Sequence, residues 1–188
     1  MGCDEAGRGC LAGPVFAAAV LLPAGYDNPR LNDSKKLNET QRNELRRQIE
    51  TEADAWAVAS FSPAEIDQHN IFRSSYGAMH RALDQLGTTF EFLLIDGKFF
   101  IPYGETPYAC IIKGDGKFQS IAAAGILAKT HRDEHMRRIA ADYPQYGWAT
   151  NAGYPTKAHR TAIEAYGATE HHRKSFRLLP GGEQYRLF

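Results

Sequence analysis

Phe90-Glu91-Phe92-Leu93-Leu94-Ile95-Asp96-Gly97 is a compact, largely apolar run that ends abruptly in an acid and a glycine. A strand covered on both faces reads this way, as in sheets that carry helices on either side. In such sheets ligands gather at the carboxyl ends of the strands, which is where Asp96 falls. Tyr108-Ala109-Cys110-Ile111-Ile112 repeats the pattern and runs into Lys113-Gly114-Asp115-Gly116, so a second acid closes a second strand. An Asp-Gly pair after a strand is usually a plain turn; what matters is whether other acids converge on it.

Two do so near the start of the chain. Asp4-Glu5-Ala6-Gly7-Arg8-Gly9 sets adjacent carboxylates ahead of a loop in which two glycines flank an arginine. Neighbouring carboxylates repel, and one holds its proton unless a cation lies close by. A hard divalent ion with oxygen ligands meets that need. The glycines let backbone N–H groups approach a ligand, and Arg8 offers a fork of donors suited to phosphate.

The rest of the chain supplies the layers. The apolar run 14–22, closed by Pro23, predicts a buried strand paired with whatever precedes Asp4, so the first strand is short. Thr40 is a cap for a helix over 41–52, on which Leu45 and Ile49 fall four apart. A strand follows over 55–61. Ser62-Pro63-Ala64-Glu65 is a helix start with a capping serine, proline at the first position and a glutamate three residues on. A longer helical pattern runs over 71–86 and stops at Gly87, and an alanine-rich helix spans 118–141. A short helix near 157–166 precedes the basic stretch His171-His172-Arg173-Lys174.

The 188 residues, 43% hydrophobic and 23% charged, have the profile of a globular chain. Lys and Arg balance Asp and Glu at 22 each, which excludes a strongly basic nucleic-acid coat but not charge segregated between faces. No apolar run approaches the roughly 20 residues that cross a bilayer. Met1-Gly2-Cys3 leads straight into the acidic pair without a signal peptide. Three cysteines without metal-ligand spacing predict free thiols in a reducing cytoplasm.

Asp4, Glu5, Asp96 and Asp115 therefore sit where loops leave strands, the donor set of a two-metal site with ions about 3.5–4 Å apart. Asp133 is a rival fourth member. It lies fifteen residues into an unbroken helix from 118, about 22 Å along the axis at ~1.5 Å per residue, so it and Asp115 do not reach the same ion pair. Asp115 lies beside the strand ends and is the better candidate; Asp133 has Lys129 four positions earlier as a partner.

On DEAGRG (4–9), LAGPV (11–15), DSKKL (33–37), IDG (95–97), KGD (113–115), SIAA (120–123), ILAK (126–129), RD (132–133) and GYPT (153–156), the chain resembles the bacterial ribonucleases HII of the type 2 ribonuclease H family. The resemblance implies an RNase H-like α/β fold: a mixed central β-sheet flanked by helices, with a helical C-terminal portion. That divides the chain into a catalytic core over 1–145 and a C-terminal extension over 146–188 packed on it. It implies Mg²⁺- or Mn²⁺-dependent hydrolysis of the RNA strand of RNA/DNA hybrids and incision at ribonucleotides embedded in duplex DNA, leaving 5′-phosphate and 3′-hydroxyl. Asp4, Glu5, Asp96 and Asp115 match the metal-binding carboxylates, Gly7, Arg8 and Gly9 the loop that reads the ribose 2′-hydroxyl, and Tyr154 the tyrosine that senses the RNA-to-DNA junction. Gly125 stands where the family commonly has serine and Cys10 where it has proline, neither expected to touch the carboxylates.

Phosphate positioning falls to Arg8, Ser34, Lys35 and Lys36, and His159, Arg160, His171, Arg173 and Lys174 are available to track a duplex. The last residues resemble a sliding-clamp-binding peptide, with Gln184, Leu187 and Phe188 at its anchor positions. Two other readings compete: an RNase H-like nuclease acting on DNA, and a nucleic-acid-binding module whose acids are structural.

Overall fold

The computed structural model describes residues 1–31 and 37–181. Ser34, Lys35, Lys36 and the tail residues Gln184, Leu187 and Phe188 lie outside the described residues. Five strands form one mixed sheet: β1 (Gly2–Ala6), β2 (Val15–Leu21), β3 (Ala55–Phe61), β4 (Leu93–Asp96) and β5 (Tyr108–Ile111), in the order β3-β2-β1-β4-β5. β1 pairs antiparallel with β2 and parallel with β4; β2–β3 is antiparallel and β4–β5 parallel. The α-helices of the described residues are α1 (Glu39–Glu52), α2 (Pro63–Gln85), α3 (Gln119–Ala140), α4 (Trp148–Asn151) and α5 (Lys157–Tyr166). None of the described helices is long and apolar enough to cross a membrane.

The sheet is covered on both faces because its inner strands alternate small apolar residues. Cys3, Ala17, Ala19, Ala57 and Ala59 meet Tyr76, Met79, Ala82 and Leu83 of α2 on one face. Ala18 and Val20 meet Ala122, Ala124, Ile126 and Leu127 of α3 on the other, with Leu45 and Ile49 of α1 behind them. Alanine and glycine bring α3 close: a Cβ on Gly2 would stand 2.3 Å from the Ser120 backbone. A third cluster joins Leu11 and Ala12 to the end of α3 and to Tyr146, Trp148 and Ile163.

The local signals at 55–61, Ser62 and 157–166 lead to β3, the capped start of α2, and α5. Several boundaries differ. Asp4 and Glu5 lie inside β1, opposite Ala18 and Ala17, rather than in a loop after it. Asn38, not Thr40, caps α1, since its side chain accepts from Gln41 N–H while the Gln41 side chain accepts from Asn38 N–H. The Ser62 start and the 71–86 pattern are, as read, two helical segments; they join end to end as α2 at Asn70, whose backbone (φ 63°, ψ 162°) leaves the helix. β4 is shorter than the apolar run because Pro107, which accepts from Leu93 N–H, has no N–H with which to extend the ladder. All three cysteines are free thiols.

Candidate active site

Register brings two of the acids together. Cys3 pairs with Ile95 across the parallel β1–β4 ladder, so one residue further Asp4 lies beside Asp96. Strand neighbours are ~4.8 Å apart, and both side chains face α3. Asp115 arrives from the other side. Lys113 adopts a left-handed conformation (φ 54°), which turns the chain after β5 into a single 3₁₀ turn over Gly114–Gly116. Gly114 N–H then donates to Asp96 Oδ1 at 2.7 Å, tying the two acid-bearing segments together.

Burial, above all, pushes the Asp4 carboxyl well above the usual carboxylate range, and the negative charges of Glu5, Asp96 and Asp115 push it further; Glu5 N–H, donating at 2.7 Å, offsets part of this. Glu5 points to the opposite face of β1, where Arg8 Nη1 donates to it at 3.3 Å. Asp133 is engaged elsewhere, 2.7 Å from Lys129 Nζ on α3. Gly125, expected to stay clear of the carboxylates, lies against one: a Cβ there would stand 2.4 Å from Asp4 Oδ2.

The donors here are carboxylate oxygens, the set a hard divalent cation takes. Among the described residues no three His, Cys, Asp or Glu side chains are drawn into a ready-made cage. An ion that keeps waters and substrate phosphates in its shell does not need one. The crowded charge on Asp4 is what such an ion relieves, so the residues present fit it.

Beside the acids, the Gly7-Arg8-Gly9 loop is held from behind by a buried guanidinium. Arg173 donates to Gly7 O at 2.7 Å, Arg8 O at 2.9 Å and Gly13 O at 3.0 Å. The peptides are trans, so the N–H groups of Arg8 and Gly9, anti to those carbonyls, turn away from Arg173. Gly7 (φ +89°) has no room for a side chain, since its Cβ would meet Arg132 Nε. Arg132, equally buried, donates to Pro14 O, Ala152 O and Ala12 O.

Tyr154 is 40% exposed and lies against this loop. Gly153 O accepts from Leu11 N–H, Lys129 Nζ and the Arg132 guanidinium lie 5.7 and 5.9 Å from the phenol ring, and the Cys10 thiol touches its hydroxyl. Burial pushes both the Cys10 thiol and the Tyr154 phenol up. From behind, His159 Nδ1–H donates to Tyr154 O at 2.9 Å; its Nε2 accepts from Trp148 Nε1 and lies 3.3 Å from His172 Nε2. Sequence reasoning had Arg173 and His159 available to a duplex; both are fully buried and face inward. The signal for Arg132 was its place among Ala128 and Met136, four residues to either side on the buried stripe of α3.

The family model for ribonuclease HII matches residues 1–179. The chain belongs to the ribonuclease HII family. Ribonuclease HII of Parabacteroides distasonis is 59% identical over 179 residues, 95% of this chain and 90% of that protein. That of Bacteroides fragilis is 57% identical over 187 residues, 100% and 92%. Ribonuclease H2 of Pyrococcus horikoshii superposes with a TM-score of 0.80 at 24% identity, covering 94% of this chain and 93% of that one, and shares the fold. The ribonuclease HII solved with PCNA from Archaeoglobus fulgidus does so with a TM-score of 0.74 at 24% identity, covering 94% of each chain. This chain is accordingly a ribonuclease H endonuclease acting on RNA/DNA hybrids, of a family that depends on divalent metal.

Proposed function

We propose that the protein incises duplex DNA at embedded ribonucleotides, as well as cutting the RNA strand of hybrids, and leaves 5′-phosphate and 3′-hydroxyl ends. The observation that carries this reading is the approach of Asp96 and Asp115 to the Asp4 carboxyl, with Glu5 the next residue along β1, beside a loop whose Arg8 and Gly9 N–H groups turn away from Arg173. Asp4, Glu5, Asp96 and Asp115 would hold Mg²⁺ or Mn²⁺, and a divalent cation supplies Lewis-acid polarisation of the phosphate and a more acidic water.

The remaining work belongs to the chain. The Gly7-Arg8-Gly9 backbone hydrogen-bonds the 2′-hydroxyl, the group that separates RNA from DNA at one position. Tyr154 lays its ring on the following deoxyribose, which has no hydroxyl to solvate. Arg8, with Ser34, Lys35 and Lys36, holds phosphates and fixes register. The core over 1–145 carries the acids, and the extension over 146–188 carries Tyr154 and the brace behind it. The enzyme works in the cytoplasm, and Gln184, Leu187 and Phe188 dock the tail on a sliding clamp; the archaeal relative solved with PCNA supports a clamp partner, and a pull-down with and without residues 184–188 tests it.

The deciding assay offers Mg²⁺ and three duplexes: all-DNA, one with a single ribonucleotide, and an RNA/DNA hybrid. Cleavage of the second and third but not the first is expected. Cleavage of the all-DNA duplex, or of the hybrid alone, overturns the reading.

A further inference from the structure

Beside the acids lies an aromatic surface that the chemistry leaves unused. Phe99, three residues past Asp96, is 63% exposed, and Phe72 of α2 is 41% exposed. Their rings stand 6.4 Å apart, and Phe72 packs edge-on against Tyr76 at 4.9 Å. The Arg8 guanidinium, which bonds Glu5, lies 6.0 Å from the Phe72 ring and 5.8 Å from Tyr76. The strip therefore reaches Glu5, the neighbour of Asp4 on β1, through Arg8. Exposed Arg73 and Lys98 adjoin the two phenylalanines in sequence.

We propose that Phe72 and Phe99 form an apolar shelf that receives the sugar faces of the duplex next to the cleaved phosphate. The proposal rests on the reading of Asp4, Glu5 and Asp96 as the reaction centre. A duplex keeps its bases stacked inside, and its wide A-form minor groove presents sugar surface to an aromatic side chain. Cations at the rim suit the phosphates on either side of that groove. The backbone points the same way. Asn70 holds a backbone conformation rare outside glycine (φ 63°, ψ 162°), and its side chain accepts from Arg73 N–H, so that Phe72 starts the second half of α2 facing Arg8.

The test is binding of a fluorescent RNA/DNA hybrid, measured by anisotropy in EDTA over a range of salt. Phe99→Ala, at the more exposed position, is expected to weaken binding about tenfold, the size of an aromatic contact to a nucleotide. The slope of log affinity against log salt stays at the wild-type value, because no phosphate contact is lost. Phe99→Trp restores affinity, whereas Lys98→Ala lowers the slope by about one. Phe72→Ala/Phe99→Ala loses more than either single change, with unfolding midpoints followed to exclude loss of fold. Affinity within about twofold of wild type in the double variant, or a loss that comes with a reduced slope, overturns the shelf. Failure of the wild-type protein to cleave the same duplex would overturn the reading of the reaction centre instead.

Discussion

Asp4 is held where its charge is least welcome, shut against α3 with three other acids acting on it. Asp96→Asn leaves the Gly114 contact to the surviving side-chain oxygen and is expected to cut hybrid cleavage by about a hundredfold or more, with the unfolding midpoint unchanged or raised. A fully active variant would remove Asp96 from the site. Gly125→Ala pits two effects against each other. Helix propensity favours alanine by about 1 kcal/mol, or about 2–4 °C in a chain of this size. The new Cβ, however, would stand 2.4 Å from Asp4 Oδ2 and turn that carboxylate. The expected result is a higher midpoint together with a higher Mg²⁺ concentration for half-maximal cleavage. A midpoint rise with no change in metal dependence would mean that Asp4 is free to rotate without consequence.

At the scale of elements, the chain signals its own local structure at most helix starts, although the Asn38–Gln41 box lies two residues before the cap expected at Thr40. Ser62 and Glu65 form the capping box that starts α2, and Thr156 accepts from His159 N–H to start α5. What pattern does not carry is tertiary. Acids are poor strand formers, so Asp4 and Glu5 read as loop; β1 keeps them because β2 pairs with it along its whole length, Ala18 opposite Asp4 and Ala17 opposite Glu5. Arg173 reads as a cation for a duplex, and Arg132 carries no assigned role, because nothing in one sequence says that six backbone carbonyls await them. The proximity of the four acids followed from motif order and strand ends; the guanidinium brace behind the loop did not. Arg173→Lys keeps the charge but not the three-way fork, and is expected to cost about 2–4 kcal/mol in urea unfolding. If the brace positions the loop, incision at an isolated ribonucleotide falls at a temperature where the variant is fully folded. Unchanged kcat/KM there would reduce Arg173 to a structural strut.

For the molecule as a whole, two opposite titrations shape stability. The folded pKa of Asp4 is raised, so the unfolded chain releases that proton first and stability falls as pH climbs above the ordinary carboxylate range. A bound cation reverses this, so Mg²⁺ should raise the unfolding midpoint more at pH 8 than at pH 5. An equal gain at both would place the ion elsewhere. Burial, and then the neighbouring His159 and His171, lowers His172 from 6.5 to about 4. Here the unfolded chain takes up the proton first, and stability drains away as pH falls from about 6.5 towards 4. His172→Gln should flatten that acid limb in a thermal-melt series run in EDTA; an unchanged slope would acquit the histidine.

β1 is the middle strand of the sheet, with a neighbour bonded along each edge. Packed between α2 and α3 and paired with β2 along its whole length, β1 is expected to exchange its amides with deuterium only when the core of the domain opens. A nuclease that keeps its chemistry there has no half-melted, sluggish form: heat or denaturant should extinguish catalysis and native structure along one and the same curve.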